Sequence, residues 1–384
     1  MCTGQNVAIL SWIEEVARSV PKTPPNSDRF ENLVSNLTTP PSTPVIQHKR
    51  KRSLPGAENS MPQPDPSKRP YRPGSETGST VSVRLPDDIT SLAPSSSVAS
   101  RSGRSRSSSP SRVKAELAAA TPRVVYIHES TDPNSVAASL LLVTLTQGSE
   151  YSPDEEVARK IANASCQCAT ELRSEGSWLN KVALPLLEGA IAELPLECWS
   201  IQTESVDPQY QPRYTARDTY TRKVDLVVGL PVDFWKVDYE QAGLNTPGKC
   251  FSHMTHPHTG KRVLGPGVEI KAADGNLVEA QVQLGVWMTG LLMWAFAQRK
   301  SVKDLPPLVG CTAVGEDWKF YIAIGVEGSG TLEEVRIWGP LSDLDGRTTS
   351  IKHAKSLLRT LRRVMEYTIG QYRETIFRSV TSGA

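Results

Sequence analysis

The sequence predicts an α/β or α+β domain around a mixed sheet, preceded by a long disordered N-terminal arm. Runs with helical and strand periodicity alternate after residue 122, whereas the residues before it are poor in apolar side chains. Hydrophobic residues make up only 38% of the 384 residues, and 29 residues are proline. Because a globular domain usually contains about 45–50% apolar residues, a long part of the chain is not expected to build a core.

The arm itself divides into two parts. Residues 1–20 contain a candidate amphipathic helix, in which apolar side chains between Ile9 and Val20 recur three or four positions apart. Such a helix either docks on the folded domain or binds a partner. Residues 21–115 are rich in Ser, Pro and basic residues, and about half of the positions from Ser91 to Ser111 are serine. This composition cannot offset the entropy of ordering, so we predict disorder.

Basic charge is concentrated in the arm. Residues 1–122 carry 16 basic and 10 acidic side chains, whereas the remainder carries 27 and 31. Two basic clusters, Lys49–Arg52 and Lys68–Arg69 with Arg72, suit the acidic groove of a nuclear import receptor or a phosphate backbone. A solvated run of charge is the alternative. We predict that Lys49–Arg52 binds an import receptor and that the protein is nuclear.

The cysteine pattern and the hydropathy argue against a secreted protein and against a membrane-spanning protein. The six cysteines form no CxxC pair and no framework typical of disulfides, which favours a reducing, intracellular compartment. The first 20 residues have acids within their apolar run and do not resemble a signal peptide. No apolar run reaches 18 residues, so we expect no membrane partner. The sequence leaves the oligomeric state open.

The folded domain is predicted to span residues 122–384. Its first strand-like run lies at 124–127, and helices follow at 153–172 and 175–193. The later elements are strands at 199–204, 223–230 and 267–271, a helix at 277–299, strands at 308–314, 319–326 and 334–338, and a final helix at 351–378.

Two of these strands carry a group of charged residues. Glu269 and Lys271 are two positions apart on one strand, so their side chains project from the same face. Asp225 interrupts another apolar strand and needs a partner there, because an unpaired buried charge is costly. Carboxylate oxygens suit Mg²⁺ or Mn²⁺, which activates water and offsets charge on a phosphate, while a lysine can assist either step. A structural salt bridge among the three residues is the alternative.

Two helical segments accompany this group. The segment from Ser174 to Asn180 opens a helix, and the segment from Gln281 to Trp287 lies on the helix after Lys271. On a helical wheel Gln283 borders the apolar stripe beside Trp287, where its amide can reach toward the end of the strand pair.

The order of these motifs resembles the fungal PD-(D/E)XK nuclease-like family. The resemblance covers roughly residues 150–330 and rests on the segments SEGSWLN–KVALPLL, RKVDLVVGL, VEIKAADG, EAQVQLGVW and VGEDWKFYIAI. It implies a restriction-endonuclease-like αβββαβ core with the active site on the central strands. The implied activity is that of a metal-dependent nuclease, with DNA as the favoured substrate. The alternative is a catalytically inactive scaffold that binds nucleic acid or protein.

The resemblance also implies a role for each residue of the site. Asp225 and Glu269 match the metal-binding acids, and Lys271 matches the catalytic lysine of the E-x-K motif. Gln283 matches the glutamine of the following helix, with Gln281 as the alternative for that role. Glu175 matches the acid of the first helix that supports the metal site.

Residues 231–266 separate Asp225 from Glu269 and must form a long loop or insertion. This segment contains His253, His256 and His258, whose H-x-x-H-x-H spacing is compatible with a zinc site. We predict instead a polar loop without a structural metal, which lies either near the substrate channel or simply exposed. The final helix carries five further basic residues that form either a phosphate-facing surface or a solvated face, namely Lys352, Lys355, Arg359, Arg362 and Arg363.

Overall fold

A mixed sheet organises the computed structural model, which describes residues 109–148, 150–214, 223–299 and 301–382. The predictions for residues 1–20 and for the arm as far as residue 108 lie outside these ranges. The mixed α/β architecture confirms the predicted fold class. Among the described helices, none combines the length and apolar character needed to cross a membrane.

The described residues form eight strands. These are β1 (Arg123–Ile127), β2 (Glu197–Ser200), β3 (Leu226–Leu230), β4 (Val263–Lys271), β5 (Leu308–Val314), β6 (Asp317–Gly328), β7 (Thr331–Trp338) and β8 (Gly346–Arg347). Their order in the sheet is β1-β7-β6-β5-β4-β3-β2, and β8 pairs with β6. The β1–β7 and β4–β5 pairs are parallel, and the others are antiparallel.

Helices surround this sheet. They are α1 (Pro110–Ala118), α2 (Val136–Thr146), α3 (Glu155–Thr170), α4 (Glu175–Trp178), α5 (Leu184–Ile191), α6 (Lys236–Gln241), α7 (Leu277–Arg299), α8 (Ile351–Tyr367) and α9 (Arg373–Ser382). A π-helical turn, Leu179–Ala183, joins α4 to α5. A second one, Thr368–Tyr372, interrupts the predicted final helix at Gly370, whose backbone is not helical.

The long helix α7 packs closely on the central strands β4 and β5. Two glycines permit this approach: a Cβ atom on Gly267 would lie 2.8 Å from the Trp287 ring, and one on Gly310 would lie 2.9 Å from Leu284 Cδ1. Trp287 is fully buried, as expected for a helix that is apolar on most sides. This packing fixes α7 directly over the strand that carries Glu269 and Lys271.

Strands β3 and β4 stay adjacent although a long insertion connects them. Helix α6 lies in this insertion, and its buried residue Tyr239 ties the two ends together. The Tyr239 hydroxyl donates to the carbonyl of Leu230, 2.8 Å away, and accepts from the amide of Val263 at 2.6 Å. Because Leu230 ends β3 and Val263 begins β4, the insertion can be long without separating the strands.

Helix α1 corrects one boundary of the sequence analysis. Disorder was expected through residue 115, but α1 begins at Pro110, with the Ser109 side chain accepting from the Arg112 amide at 3.3 Å. Proline at the first helical position suits this start, because its missing N–H would have no helical partner. Val113 and Leu117 are buried against the domain, so the folded region begins before residue 122.

Replacing Leu117 with alanine is therefore expected to lower the free energy of unfolding by about 2–5 kcal/mol, the usual cost of truncating a buried leucine. Urea denaturation of the full chain measures this change. Leu140→Ala, a matched change at an exposed position of α2, serves as the control and is expected to have a much smaller effect. Equal stabilities of the two variants would contradict the assignment of α1 to the core.

Candidate functional site

Asp225 lies immediately before β3 and beside β4. Its amide donates to the carbonyl of Val268 at 3.2 Å, which extends the β3–β4 pairing by one residue. The side chain is only 6% exposed, and both of its oxygens accept hydrogen bonds. Oδ2 accepts from the amide of Ile270 at 2.8 Å, and Oδ1 accepts from Nε2 of Gln202 at 2.7 Å. The carboxylate is therefore held in one orientation next to β4.

Glu269 and Lys271 meet at the end of β4. The Lys271 Nζ atom lies 2.7 Å from Oε1 of Glu269 and 3.3 Å from Oε2 of Glu175. Glu269 is 1% exposed and Lys271 is 8% exposed, whereas the Glu175 side chain is partly open to solvent. Glu175 begins α4, so a helix N-terminus holds the outer acid of the group. The structure thus brings four predicted residues together: Asp225, Glu269, Lys271 and Glu175.

This group contains more negative than positive charge. Burial, followed by the nearby Asp225 carboxylate, raises the pKa of Glu269 well above its usual range, and Lys271 opposes this shift without reversing it. Burial lowers the pKa of Lys271, but the charges of Glu269, Glu175 and Asp225 outweigh it, so the net shift is upward. The pKa values of Glu269 and Lys271 are therefore both raised, because a single ammonium faces three carboxylates.

The donor set fits a hard divalent cation. Neither oxygen of Glu269 accepts a hydrogen bond of good geometry, even though Oε1 lies close to Lys271 Nζ. Mg²⁺ is commonly held by one or two carboxylates and retains several waters. Within the described ranges, no three His, Cys, Asp or Glu side chains form a ready-made metal cage. A cation here would therefore be held by Asp225 and Glu269 together with water.

The two glutamines of α7 lie in different surroundings. Gln283 donates from Nε2 to the carbonyl of Lys223 at 3.3 Å, two residues before Asp225. Gln281 accepts from Lys114 Nζ at 2.7 Å and donates to the Tyr321 hydroxyl at 3.0 Å. Among the described contacts, neither amide touches a carboxylate of the group. Gln283 is the better candidate for a supporting role, because it holds the segment that carries Asp225.

Gln202 is a site residue that sequence reasoning missed. The predicted strand at 199–204 gave it no role, but β2 ends at Ser200 and the chain then turns. The turn places the Gln202 amide on Asp225. The apolar pattern of β2 and β3 contains no signal for this contact, because it depends on the register between the two strands.

The three histidines of the insertion have separate partners. His256 Nδ1 lies 3.3 Å from Glu204 Oε1, and the His258 ring packs edge-on against Trp199 with the ring centroids 5.0 Å apart. His253 is fully buried against Trp287, and neither ring nitrogen has a hydrogen-bond partner. Simple exposure of the loop, one of the two alternatives, is therefore wrong at His253. Burial lowers its pKa to about 3.

His253 is expected to make the folded state sensitive to acid. Its pKa is about 3 in the folded protein and about 6.5 when unfolded, so the unfolded chain takes up a proton first. Its contribution is complete above about pH 6.5 and falls by up to about 1.4 kcal/mol per pH unit as the pH drops toward 3. Urea denaturation at several pH values across this range should show that the free energy of unfolding depends less on pH in His253→Gln than in wild type. The control is His256→Gln, at an exposed position. If His253→Gln has the same pH dependence of unfolding as wild type, His253 is not the source of the acid sensitivity.

Three of the five basic residues of α8 contact neighbouring elements of the domain. Arg362 is buried, donates to the carbonyl of Ile191 at 3.1 Å and pairs with Glu193 at 2.8 Å. Lys355 pairs with Glu155 at 2.9 Å, and Arg363 donates to the carbonyl of Gln147 at 2.8 Å. These three side chains tie α8 to neighbouring elements. Neither a phosphate-facing surface nor a solvated face describes them.

An α/β sheet with Asp225 beside a strand that carries Glu269 and Lys271 is the arrangement that the resemblance to PD-(D/E)XK nucleases implies. Residues 127–373 match the sequence profile of the family described as the PD-(D/E)XK nuclease superfamily. Because the match covers more than half of the chain, the protein belongs to this superfamily. No curated protein matches the chain in a sequence comparison. The resemblance to the fungal branch stays a prediction.

Proposed function

We propose that this protein is a metal-dependent nuclease that hydrolyses phosphodiester bonds, with DNA as its substrate. One observation carries the proposal: two buried carboxylates, Asp225 and Glu269, lie beside the ammonium of Lys271 in a chain of the nuclease superfamily. The surplus of carboxylates over cations favours binding of a divalent metal ion.

Each residue has a chemical task in this proposal. Asp225 and Glu269 would hold Mg²⁺ or Mn²⁺, which supplies an acidified water and offsets charge on the phosphate. Lys271 keeps its proton because the surrounding acids raise its pKa, so its ammonium can orient the attacking water or contact the charged phosphate. Glu175 holds Lys271 from the solvent side, and Gln283 supports the backbone before Asp225.

A second function has its own supporting observation. Both oxygens of Asp225 already accept hydrogen bonds, and Lys271 bridges Glu269 and Glu175. A self-contained network of this kind also suits a scaffold that binds nucleic acid or protein without cutting it. The intact Asp225, Glu269 and Lys271 set favours the enzyme, since loss of either acid would disable the metal site and loss of the lysine would remove the ammonium from the reacting phosphate.

A cleavage assay separates the two functions. The full chain would be incubated with single-stranded and double-stranded DNA and RNA in Mg²⁺, in Mn²⁺ and in EDTA. Cleavage of DNA that requires the metal supports the proposal. If all four substrates stay intact in both metals and calorimetry detects no Mn²⁺ binding, the nuclease proposal fails and the scaffold remains.

We also propose that the basic cluster Lys49–Arg52 directs the protein to the nucleus. A short dense run of Lys and Arg suits the acidic groove of an import receptor. Changing these four residues to alanine is expected to move a fluorescent fusion of the full chain toward the cytoplasm. Unchanged nuclear accumulation after Lys68 and Arg69 are replaced as well would contradict the proposal.

A further inference from the structure

The turn that follows β2 is tied to the segment that carries Asp225. The amide of Ile201 donates to the carbonyl of Asp225 at 2.9 Å, so the β2–β3 pairing continues past the last residue of β2. The amide of Glu204 then donates to the carbonyl of Ile201 at 2.9 Å and closes the turn. Lys223 Nζ donates to the carbonyl of Thr203 at 2.9 Å. These bonds hold the turn at residues 201–204 against residues 223–225.

Within this turn the Gln202 side chain reaches the carboxylate of Asp225. Its Nε2 donates to Oδ1 at 2.7 Å while the Ile270 amide donates to Oδ2 at 2.8 Å. One donor on each oxygen prevents rotation of the carboxylate, and each oxygen retains a lone pair. Ile270 lies between Glu269 and Lys271 in the sequence, so the two donors orient Asp225 relative to the strand that carries the other site residues.

The chemistry of the donor matters as much as its position. An amide is neutral, so it orients Asp225 without cancelling the negative charge that attracts a cation. A lysine or arginine at position 202 would supply the same hydrogen bond but would compete with the metal ion for the carboxylate. Removing a hydrogen-bond partner of a metal ligand typically weakens metal affinity by about 10–100-fold.

We propose that Gln202 is a positioning residue that sets the orientation of Asp225 for binding of a divalent cation. This inference rests on the proposed metal-dependent function. A merely structural role for Gln202 makes a different prediction. It would lower the melting temperature of the metal-free protein and leave the affinity for the cation unchanged.

The test is a calorimetric titration of the full chain with Mn²⁺. Gln202→Met keeps the approximate length of the side chain and removes the donor, and Gln202→Ala serves if the first variant does not fold. The matched control is Gln209→Ala, because Gln209 Nε2 makes a similar bond to Asp207 Oδ2, 3.2 Å away at the surface. We expect the Kd for Mn²⁺ to rise about 10-fold or more in the Gln202 variants and to stay unchanged in Gln209→Ala.

Melting temperatures in EDTA, measured in parallel, distinguish the outcomes. If the Gln202 variants bind Mn²⁺ within about twofold of wild type while Asp225→Asn binds none, the positioning role is overturned and the metal site stands. A lowered melting temperature with an unchanged Kd likewise overturns the positioning role. If wild type itself binds no Mn²⁺, both this inference and the proposed function fail.

Discussion

Replacing Lys271 with alanine is expected to abolish metal-dependent cleavage of DNA while leaving nucleic-acid binding mostly intact. The Lys271 ammonium lies 2.7 Å from Oε1 of the buried acid Glu269, and alanine removes the group that would orient water or contact the phosphate. Proton-transfer and charge-stabilising groups of this kind typically contribute about 10²–10⁴-fold to the rate. The measurement is single-turnover cleavage together with a binding assay in Ca²⁺.

The same variant separates catalysis from structure. If Lys271 only neutralises buried acids, its loss leaves them unpaired and lowers stability by about 3–5 kcal/mol. If the acids instead form an empty metal site and already repel one another, the loss of stability is smaller, because Glu269, with its raised pKa, can take up a proton. Lys352→Ala, at an exposed position of α8, is the control. A much lower melting temperature for Lys271→Ala, combined with a wild type that cuts no substrate, would leave only the scaffold.

Local periodicity accounts for the parts of the fold that could be predicted. Helix α7 and strand β5 lie at the predicted residues, because each has a long, strong apolar pattern. The shared face of Glu269 and Lys271 follows from the two-residue repeat of a strand and needs no knowledge of neighbouring elements.

Features that depend on tertiary packing could not be predicted in this way. Helix α1 buries few side chains, so its nine residues have a weak pattern next to the Ser-rich arm. His253 becomes buried only because the insertion folds back against Trp287 of α7. Gln202 contacts Asp225 through the register of β2 and β3, and register is a property of the strand pair.

The structure also changes which acid offers the clearest test of stability. Acids gathered around an empty metal site repel one another, so removing the charge of Asp225 would by itself raise stability. Both oxygens of Asp225 accept hydrogen bonds, however, so the NH₂ group of asparagine would face either Gln202 Nε2 or the Ile270 amide. Asp225→Asn therefore loses a hydrogen bond and gains an unfavourable contact. That cost opposes the gain from removing a charge.

Glu269→Gln is expected to raise the stability of the metal-free protein at neutral pH and to abolish stabilisation by Mn²⁺. Burial and the charge of Asp225 raise the pKa of Glu269, so the folded state holds this proton more tightly than the unfolded state does. The contribution of Glu269 to stability is therefore complete below its unfolded-state pKa. It is lost as the pH rises toward the folded-state pKa, by up to about 1.4 kcal/mol for each pH unit. Glutamine is neutral and removes this loss, while Lys271 keeps Glu175 as its partner.

Melting curves of wild type and Glu269→Gln in EDTA, recorded from about pH 5 to 8, test this expectation. The difference between the two proteins should widen as the pH increases, because only in wild type does unfolding release the proton that the buried acid holds. Adding Mn²⁺ at neutral pH should raise the melting temperature of wild type and leave that of Glu269→Gln unchanged. The control is Glu197→Gln, at an exposed position of β2. A lower melting temperature for Glu269→Gln throughout the pH range would instead show that its pairing with Lys271 outweighs the cost of burying Glu269.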